Sequence, residues 1–235
     1  MKSITMQPIA HIRTPFPTKF GIPRQSGLVE GLRGLIVFEP PYRNVEALRG
    51  LEDFSHLWLI WDFSEAHRDG WSPTVRPPRL GGNRRLGVWA TRSPFRPNPI
   101  GLSSVRITAI RLHTPDGPVI EVEGADLMDG SPILDIKPYL PYTDSHPEAL
   151  SGFARAPQDE GERTEVVIPS GLCRLMDGET LQALRGILAA DPRPRYHDRP
   201  ERLYTFPFAG FVVTFRACEG HILVTGLERS VANPD

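Results

Sequence analysis

Acidic side chains are missing from a long central stretch of this chain: no Asp or Glu occurs between Asp69 and Asp116. Cysteine is scarce as well. Cys173 and Cys218 stand alone without C-x-x-C spacing, which argues against a disulfide framework and against a cysteine zinc site. The seven histidines offer no pair at helical zinc spacing and no H-x-E…C-x-x-C pattern, so no metal is expected. There is no G-x-S-x-G elbow, no Walker A loop, and no G-x-G-x-x-G after a strand. Nucleophile-elbow hydrolysis, P-loop phosphate binding and a Rossmann cofactor site are therefore unsupported. No run approaches the roughly 18 apolar residues of a membrane span. The opening MKSITMQPIAHIRTPF lacks the apolar core of a signal peptide. A soluble, cytoplasmic protein without a membrane partner is the expectation.

What fills the acid-free stretch is arginine. Val75 to Ser103 reads VRPPRLGGNRRLGVWATRSPFRPNPIGLS and carries Arg76, Arg79, Arg84, Arg85, Arg92 and Arg96 among prolines and glycines. Arginine suits bidentate phosphate recognition and stacking on aromatic planes. Proline stiffens the backbone, and glycine lets a ligand approach it. The segment reads as a binding surface for an anionic or planar partner. Net charge over the 235 residues is only −1, so the basic character is local, a patch rather than a nucleic-acid coat.

The 25 prolines and 21 glycines point to many turns and short strands. Strands are expected at Ile4–Ile12, Leu35–Phe38, Phe54–Phe63, Leu86–Thr91, Leu102–Leu112, Val119–Gly124 and Ile133–Ile136, with one short helix from Asn44 to Leu51 capped by Asn44. This pattern predicts a mainly β protein whose N-terminal domain (1–145) is an antiparallel barrel or sandwich. A polar, Pro/Gly-punctuated linker follows (146–163). A small α+β C-terminal domain (164–235) closes the chain. It has a strand at Val166–Ile168 and a helix near Gly178–Ala190, with Leu181, Leu184, Ile187 and Leu188 on one face. A strand pair at Tyr204–Arg216 and His221–Leu227 completes it.

Several polar residues fall at strand ends or in loops. Asp126-Leu127-Met128-Asp129-Gly130 follows a strand; its acids can accept bonds from ribose hydroxyls or an amino group, or simply form an Asp-Gly turn. Asp135 and Lys137 flank Ile136 on one face of an extended segment, as a structural ion pair or a proton-transfer pair. His56 sits in the apolar FSHLWL run as a core residue or a ligand contact. Pro23-Arg24-Gln25 lies in a loop that offers backbone groups and a guanidinium. Asn98-Pro99 matches two residues of the Asn/Asp-Pro-Pro-aromatic loops that hold a target adenine amine in some DNA methylases.

Taken together, PFPTKFGIPRQSGL, LEDFSHLWLIW, the arginine-rich stretch and ADLMDGSPILDIKPYLPYTDS resemble, in order and spacing, the TsaA/YaeB family of TrmO-type tRNA (adenine-N6)-methyltransferases. The resemblance is close over about Ile9 to Ser145, and DPRPRYHDRPERLYTF is similar to the C-terminal domain of bacterial members. It implies a non-Rossmann, β-barrel-like domain that binds S-adenosylmethionine, a homodimer with the cofactor near its interface, and methylation of N6 of N6-threonylcarbamoyladenosine beside the anticodon of threonine tRNA. By this resemblance the cofactor contacts are Pro23, Arg24, Gln25, His56, Leu57, Arg92, Leu102, Asp126, Leu127, Met128 and Asp129. Asp135, Lys137 and Asn98 are the catalytic candidates. Arg79, Arg84, Arg85, Arg96 and Tyr139 are the substrate contacts, with Phe95 and Tyr139 as stacking platforms. The competing readings are a non-catalytic module that binds S-adenosylmethionine or RNA, and a methyltransferase acting on a different substrate.

Overall fold

The computed structural model describes residues 3–77, 80, 84–154, 164–193 and 202–230. Six strands close into a barrel: β1 (Ala10–Arg13), β2 (Arg33–Phe38), β3 (His56–Asp62), β6 (Ile100–Arg111), β7 (Val119–Glu123) and β8 (Pro132–Pro138), in the order β1-β2-β7-β6-β3-β8. All barrel pairs are antiparallel, and β1 meets β8 at Ala10↔Ile133 to complete the ring. Between β3 and β6 a two-stranded hairpin projects, β4 (Thr74–Val75) with β5 (Leu86–Gly87). Beyond the barrel come α1 (Pro141–Asp144), β9 (Glu165–Val167), α2 (Ser170–Cys173), α3 (Gly178–Ala189), β10 (Leu203–Phe208), β11 (Phe211–Cys218) and β12 (His221–Arg229). The last four strands form a sheet in the order β10-β11-β12-β9.

The period-2 pattern of β3 shows how the sequence selects the barrel. Leu57, Leu59 and Trp61 are buried inside it, while His56, Trp58, Ile60 and Asp62 face outward and are half-buried. Each large apolar side chain taken fully from water contributes about 1.5–3 kcal/mol. A one-residue slip would expose the whole inner set, so the register is strongly specified. Ala10, Ile12, Ile36, Val105, Ile120, Val122, Leu127 and Ile133 join the same core.

A second core lies between the barrel's loops and the C-terminal sheet. Phe16, Val29 and Leu32 pack with Leu184, Ile187, Leu188, Phe206, Phe208 and Phe215. The Phe16 and Phe208 rings are 5.4 Å apart, and the Ala209 amide donates to the Pro15 carbonyl at 2.9 Å. The C-terminal residues therefore share apolar burial with the loop before β2.

Four local expectations need correction. The strand expected from Ile4 begins only at Ala10. The expected helix from Asn44 to Leu51 is two 3-10 turns, Val45–Leu48 and Leu51–Asp53, because Gly50 between them takes φ +85°; Asn44 does cap the first, accepting from the Glu46 amide at 3.0 Å. The strand expected at Leu86–Thr91 stops at Gly87 and turns into a 3-10 turn over Val88–Ala90. Val88 is fully buried and its amide bonds to Pro73, which anchors the turn at the hairpin's base. Tyr204–Arg216 is two strands rather than one, broken where Ala209 (φ +50°) and Gly210 (φ +77°) make a tight turn.

Candidate functional site

The site begins where β7 runs out. Gly124 takes φ +84°, and a Cβ there would lie 3.1 Å from Gly27 backbone atoms, so only glycine lets the Arg24–Gly27 loop cross so closely. That loop is tied down twice. The Gly27 amide donates to the Gly124 carbonyl at 2.9 Å, and the Ser104 amide donates to Ser26 Oγ at 3.2 Å. Gln25 is thereby held beside Arg92, whose guanidinium donates to Gln25 Oε1.

Asp126 stands beneath this loop. Its Oδ1 accepts a hydrogen bond from Ser103 Oγ at 2.6 Å. Ser103, itself buried, accepts from Trp61 Nε1 at 3.0 Å. The indole N–H can only donate, so the serine proton must point to the carboxylate. The chain Trp61–Ser103–Asp126 thus has one direction. Trp61 is fixed in turn by Gly101 opposite it in the register, where an added Cβ would sit 2.2 Å from the indole. Burial pushes the Asp126 carboxyl above its ordinary range, against the Ser103 bond, backbone amides and the nearby Arg92 charge, which pull it down.

The rest of the Asp126–Asp129 segment is pinned to the loop after β1. Thr14 Oγ1 donates to the Leu127 carbonyl at 3.0 Å, and the Thr14 amide donates to Asp129 Oδ1 at 2.9 Å. The Leu127 side chain is in the barrel core, as is that of Leu57, so each offers a ligand only its main chain. Pro23 is buried and Met128 half-buried.

A second group occupies the outer wall at the start of β3. His56 Nδ1 is 2.9 Å from Ser55 Oγ, and its ring lies 6.1 Å from Tyr139, which also packs on Trp58 at 5.4 Å. Trp58 Nε1 donates to Asp144. The Leu140 amide and this indole hold the Asp144 carboxyl below the usual range. His56 precedes Ile60 by four residues, about 13 Å along the strand at roughly 3.3 Å per residue. The sequence-derived cofactor residues are therefore split: Arg24, Gln25, Arg92, Leu102 and Asp126 gather around the loop, and His56 and Leu57 stand away from them.

The catalytic candidates are likewise only partly assembled. Asp135 and Lys137 face outward and form an ion pair at 2.9 Å. Ile60 pairs with both Asp135 and Leu102, which puts those two about 10 Å apart across one strand. Asn98 lies beyond the start of β6 and not beside Asp135. Ile136, between Asp135 and Lys137, packs against the barrel core. A bulge between Ile60 and Trp61 leaves Leu134 as the unpaired extra residue, and bulges re-aim side chains in this way.

The arginines line a broad cleft of about 2630 Å³ that runs from Arg24 and Gln25 past the hairpin to α3. The cleft is open to solvent and exceeds the roughly 300–1,000 Å³ of enclosed small-molecule sites. Arg85 and Arg96 border it, with Arg85 Nη1 also reaching Thr74 Oγ1 at 3.3 Å. Arg84 is exposed. Arg79 and Gly81–Asn83 lie outside the described residues. Phe95 carries the Arg68 guanidinium 3.6 Å above its ring centre. Sequence motifs do not single out Arg68, Trp71, Trp89, Ser103 or Trp61 as functional. Arg68 and Trp71 lie outside the motif strings, and Trp89, Ser103 and Trp61 lie within them but are recognisable as functional only through contacts made in the fold. Among the described residues, no group of three His, Cys, Asp or Glu side chains could hold a metal ion, and no helix is long and apolar enough to cross a membrane.

Comparison with known proteins covers both parts of the chain. The tRNA-methyltransferase O N-terminal domain model matches residues 11–145, and the TrmO C-terminal domain model matches residues 173–230. The tRNA (adenine(37)-N6)-methyltransferase of Escherichia coli K12 is 41% identical over 234 residues, covering 97% of this chain and 99% of that one. Its namesake in Eikenella corrodens is 42% identical over 179 residues, or 73% and 95% of the two chains. A crystal structure of TrmO from P. aeruginosa superposes with a TM-score of 0.78 at 33% identity, over 98% of this chain and 99% of that one. With both domain models matched and a relative this similar along nearly its whole length, the chain belongs to the TrmO family.

Proposed function

We propose that this protein methylates N6 of adenine 37 in tRNA with S-adenosylmethionine as donor, and that its substrate base is N6-threonylcarbamoyladenosine in threonine tRNA. The observation that carries the reading is the junction of two surfaces. A half-buried carboxylate bonded to Ser103 lies close to an amide and a guanidinium that border a long arginine-lined groove. This donor set fits the cofactor. Asp126 accepts from hydroxyl or amino groups, Gln25 and the Arg24–Gly27 backbone offer amide contacts, Arg92 meets a carboxylate, and Leu102 supplies apolar surface. Bound S-adenosylmethionine supplies a methyl group activated by its sulfonium. The chain's own residues then place and deprotonate the amine, and placement accounts for much of such a rate enhancement. Asp135 orients the N6 proton and receives it, Lys137 holds Asp135 or meets the threonyl carboxylate, and Asn98 is the alternative proton-orienting group. Arg79, Arg84, Arg85 and Arg96 contact phosphates, and Phe95 and Tyr139 stack on loop bases.

The split between the Asp126 group and the His56 group supports a homodimer in which a second copy brings His56 and Leu57 to the cofactor. Farther along the same outer wall, exposed Ile100 (38%) and Leu102 (55%) lie next to half-buried Ile60, an apolar surface suited to such a contact. A cytoplasmic location follows from a tRNA substrate. Calorimetry with S-adenosylmethionine should show saturable binding that survives a chelator, and the same sample should sediment at twice 26.2 kDa. No detectable cofactor binding would remove the methyltransferase reading, and a monomer that binds normally would remove the shared site.

A further inference from the structure

The hairpin that carries the arginines has an aromatic base. Trp71 just precedes β4 and Trp89 lies in the turn after β5, and the backbone bond from Val88 to Pro73 brings them together. Their ring centres are 5.7 Å apart at 34°, a direct aromatic contact that leaves no room for a third ring between them. Yet Trp71 is 52% and Trp89 66% exposed. Two indoles held in contact and left this open are unusual on a protein surface unless something covers them. What surrounds them says what that is. Both line the arginine cleft, and the Arg96 guanidinium stands 5.6 Å from the centre of the Trp89 ring, within cation–π range.

We propose that the Trp71–Trp89 pair is a stacking platform for an unpaired base of the substrate RNA, a nucleotide other than the one methylated. The inference rests on the tRNA-substrate reading and adds a site to it. Stacking on an indole is sequence-tolerant because every base presents a π face, and a guanidinium alongside neutralises the attached phosphate. The hairpin then divides its labour. Arg84 and Arg85, beyond β4 and towards the start of β5, supply salt-dependent attraction, and the indoles at its base supply salt-independent grip.

The test uses the full chain and a fluorescently labelled anticodon stem-loop RNA, with anisotropy followed over a salt series. Trp89→Leu and Trp71→Leu keep apolar bulk and remove the indole. Each should weaken binding by about 5- to 140-fold, the range for losing one stacked base, with the slope of log affinity against log salt unchanged. Trp89→Phe should recover most of the loss. Arg84→Ala with Arg85→Ala should instead flatten the slope by about 1.4–1.8, the contribution of two phosphate contacts. Unchanged affinity in both Leu variants overturns the platform, and so does a loss that Phe fails to restore. Loss of dimerisation with RNA affinity intact also overturns it, by assigning the pair to a protein contact. If the unaltered protein itself fails to bind the stem-loop in a salt-dependent way, the RNA reading fails rather than the platform alone.

Discussion

Asp135→Asn is expected to slow a single turnover of methyl transfer by about tenfold to ten-thousandfold, the usual span for a general base, measured at saturating cofactor and tRNA. The melting temperature should hardly move. Asp135 and Lys137 sit on the outer wall with side chains 47% and 62% exposed, and an ion pair that open to water is worth about 0–1 kcal/mol. For a chain of this length that is at most about 4 °C. The structure thereby separates two roles that the sequence leaves open. A buried structural pair would cost much stability when broken, whereas this exposed pair has little to lose. A large rate loss in a stably folded variant therefore identifies chemistry. A variant with unaltered single-turnover rate takes Asp135 out of the mechanism and passes the proton-orienting role to Asn98.

Asp126→Asn is expected to behave in the opposite sense for stability and to weaken the cofactor. Burial raises the pKa of this carboxyl in the folded protein. The stability it contributes is thus present below its unfolded pKa and is lost as pH rises through the raised folded value. Above that raised value the ionised group opposes folding. An amide of the same shape still accepts from Ser103 and carries no charge, so the variant should melt at or above the temperature of the unaltered protein. Cofactor affinity should fall by roughly 12- to 140-fold, the equivalent of the 1.5–3 kcal/mol of a hydrogen bond to a charged group. The unaltered protein should lose affinity on acidification at a pH above that expected of an ordinary aspartate, and the variant should lack that limb. Calorimetry across pH with thermal melts on both proteins reads all of this. Unchanged affinity would place the cofactor elsewhere, and a marked drop in melting temperature would make Asp126 structural.

Much of this site is legible in the sequence because strand periodicity and turn chemistry are local. The alternation in HLWLIWD is enough by itself to direct Leu57, Leu59 and Trp61 inward, and the Asp-Gly turn after β7 falls where its residues place it. What stays hidden depends on distant partners. Leu86 to Thr91 has strand composition, but burial of Val88 against the base of the hairpin bends it into a turn. Ala209 takes a positive φ that no residue type announces, held by its bond to Pro15. Ser103 reads as one polar residue in a strand; only folding shows it joining Trp61, 42 positions earlier, to Asp126, 23 positions later. Trp71 and Trp89 look like unrelated surface aromatics until the hairpin pairs them. Motif strings single out His56 and Asp126 alike, but do not show that the barrel sets the two apart.

The central claim is that this chain places a methyl group on adenine 37 of tRNA. The direct measurement is mass spectrometry of nucleosides from threonine tRNA after incubation with the protein and S-adenosylmethionine labelled on its methyl group. The account predicts that N6-threonylcarbamoyladenosine gains one labelled methyl, in an amount that rises with enzyme and time. Unlabelled tRNA from a protein that demonstrably binds the cofactor would contradict it, and would leave a module that binds S-adenosylmethionine without transferring it to this base.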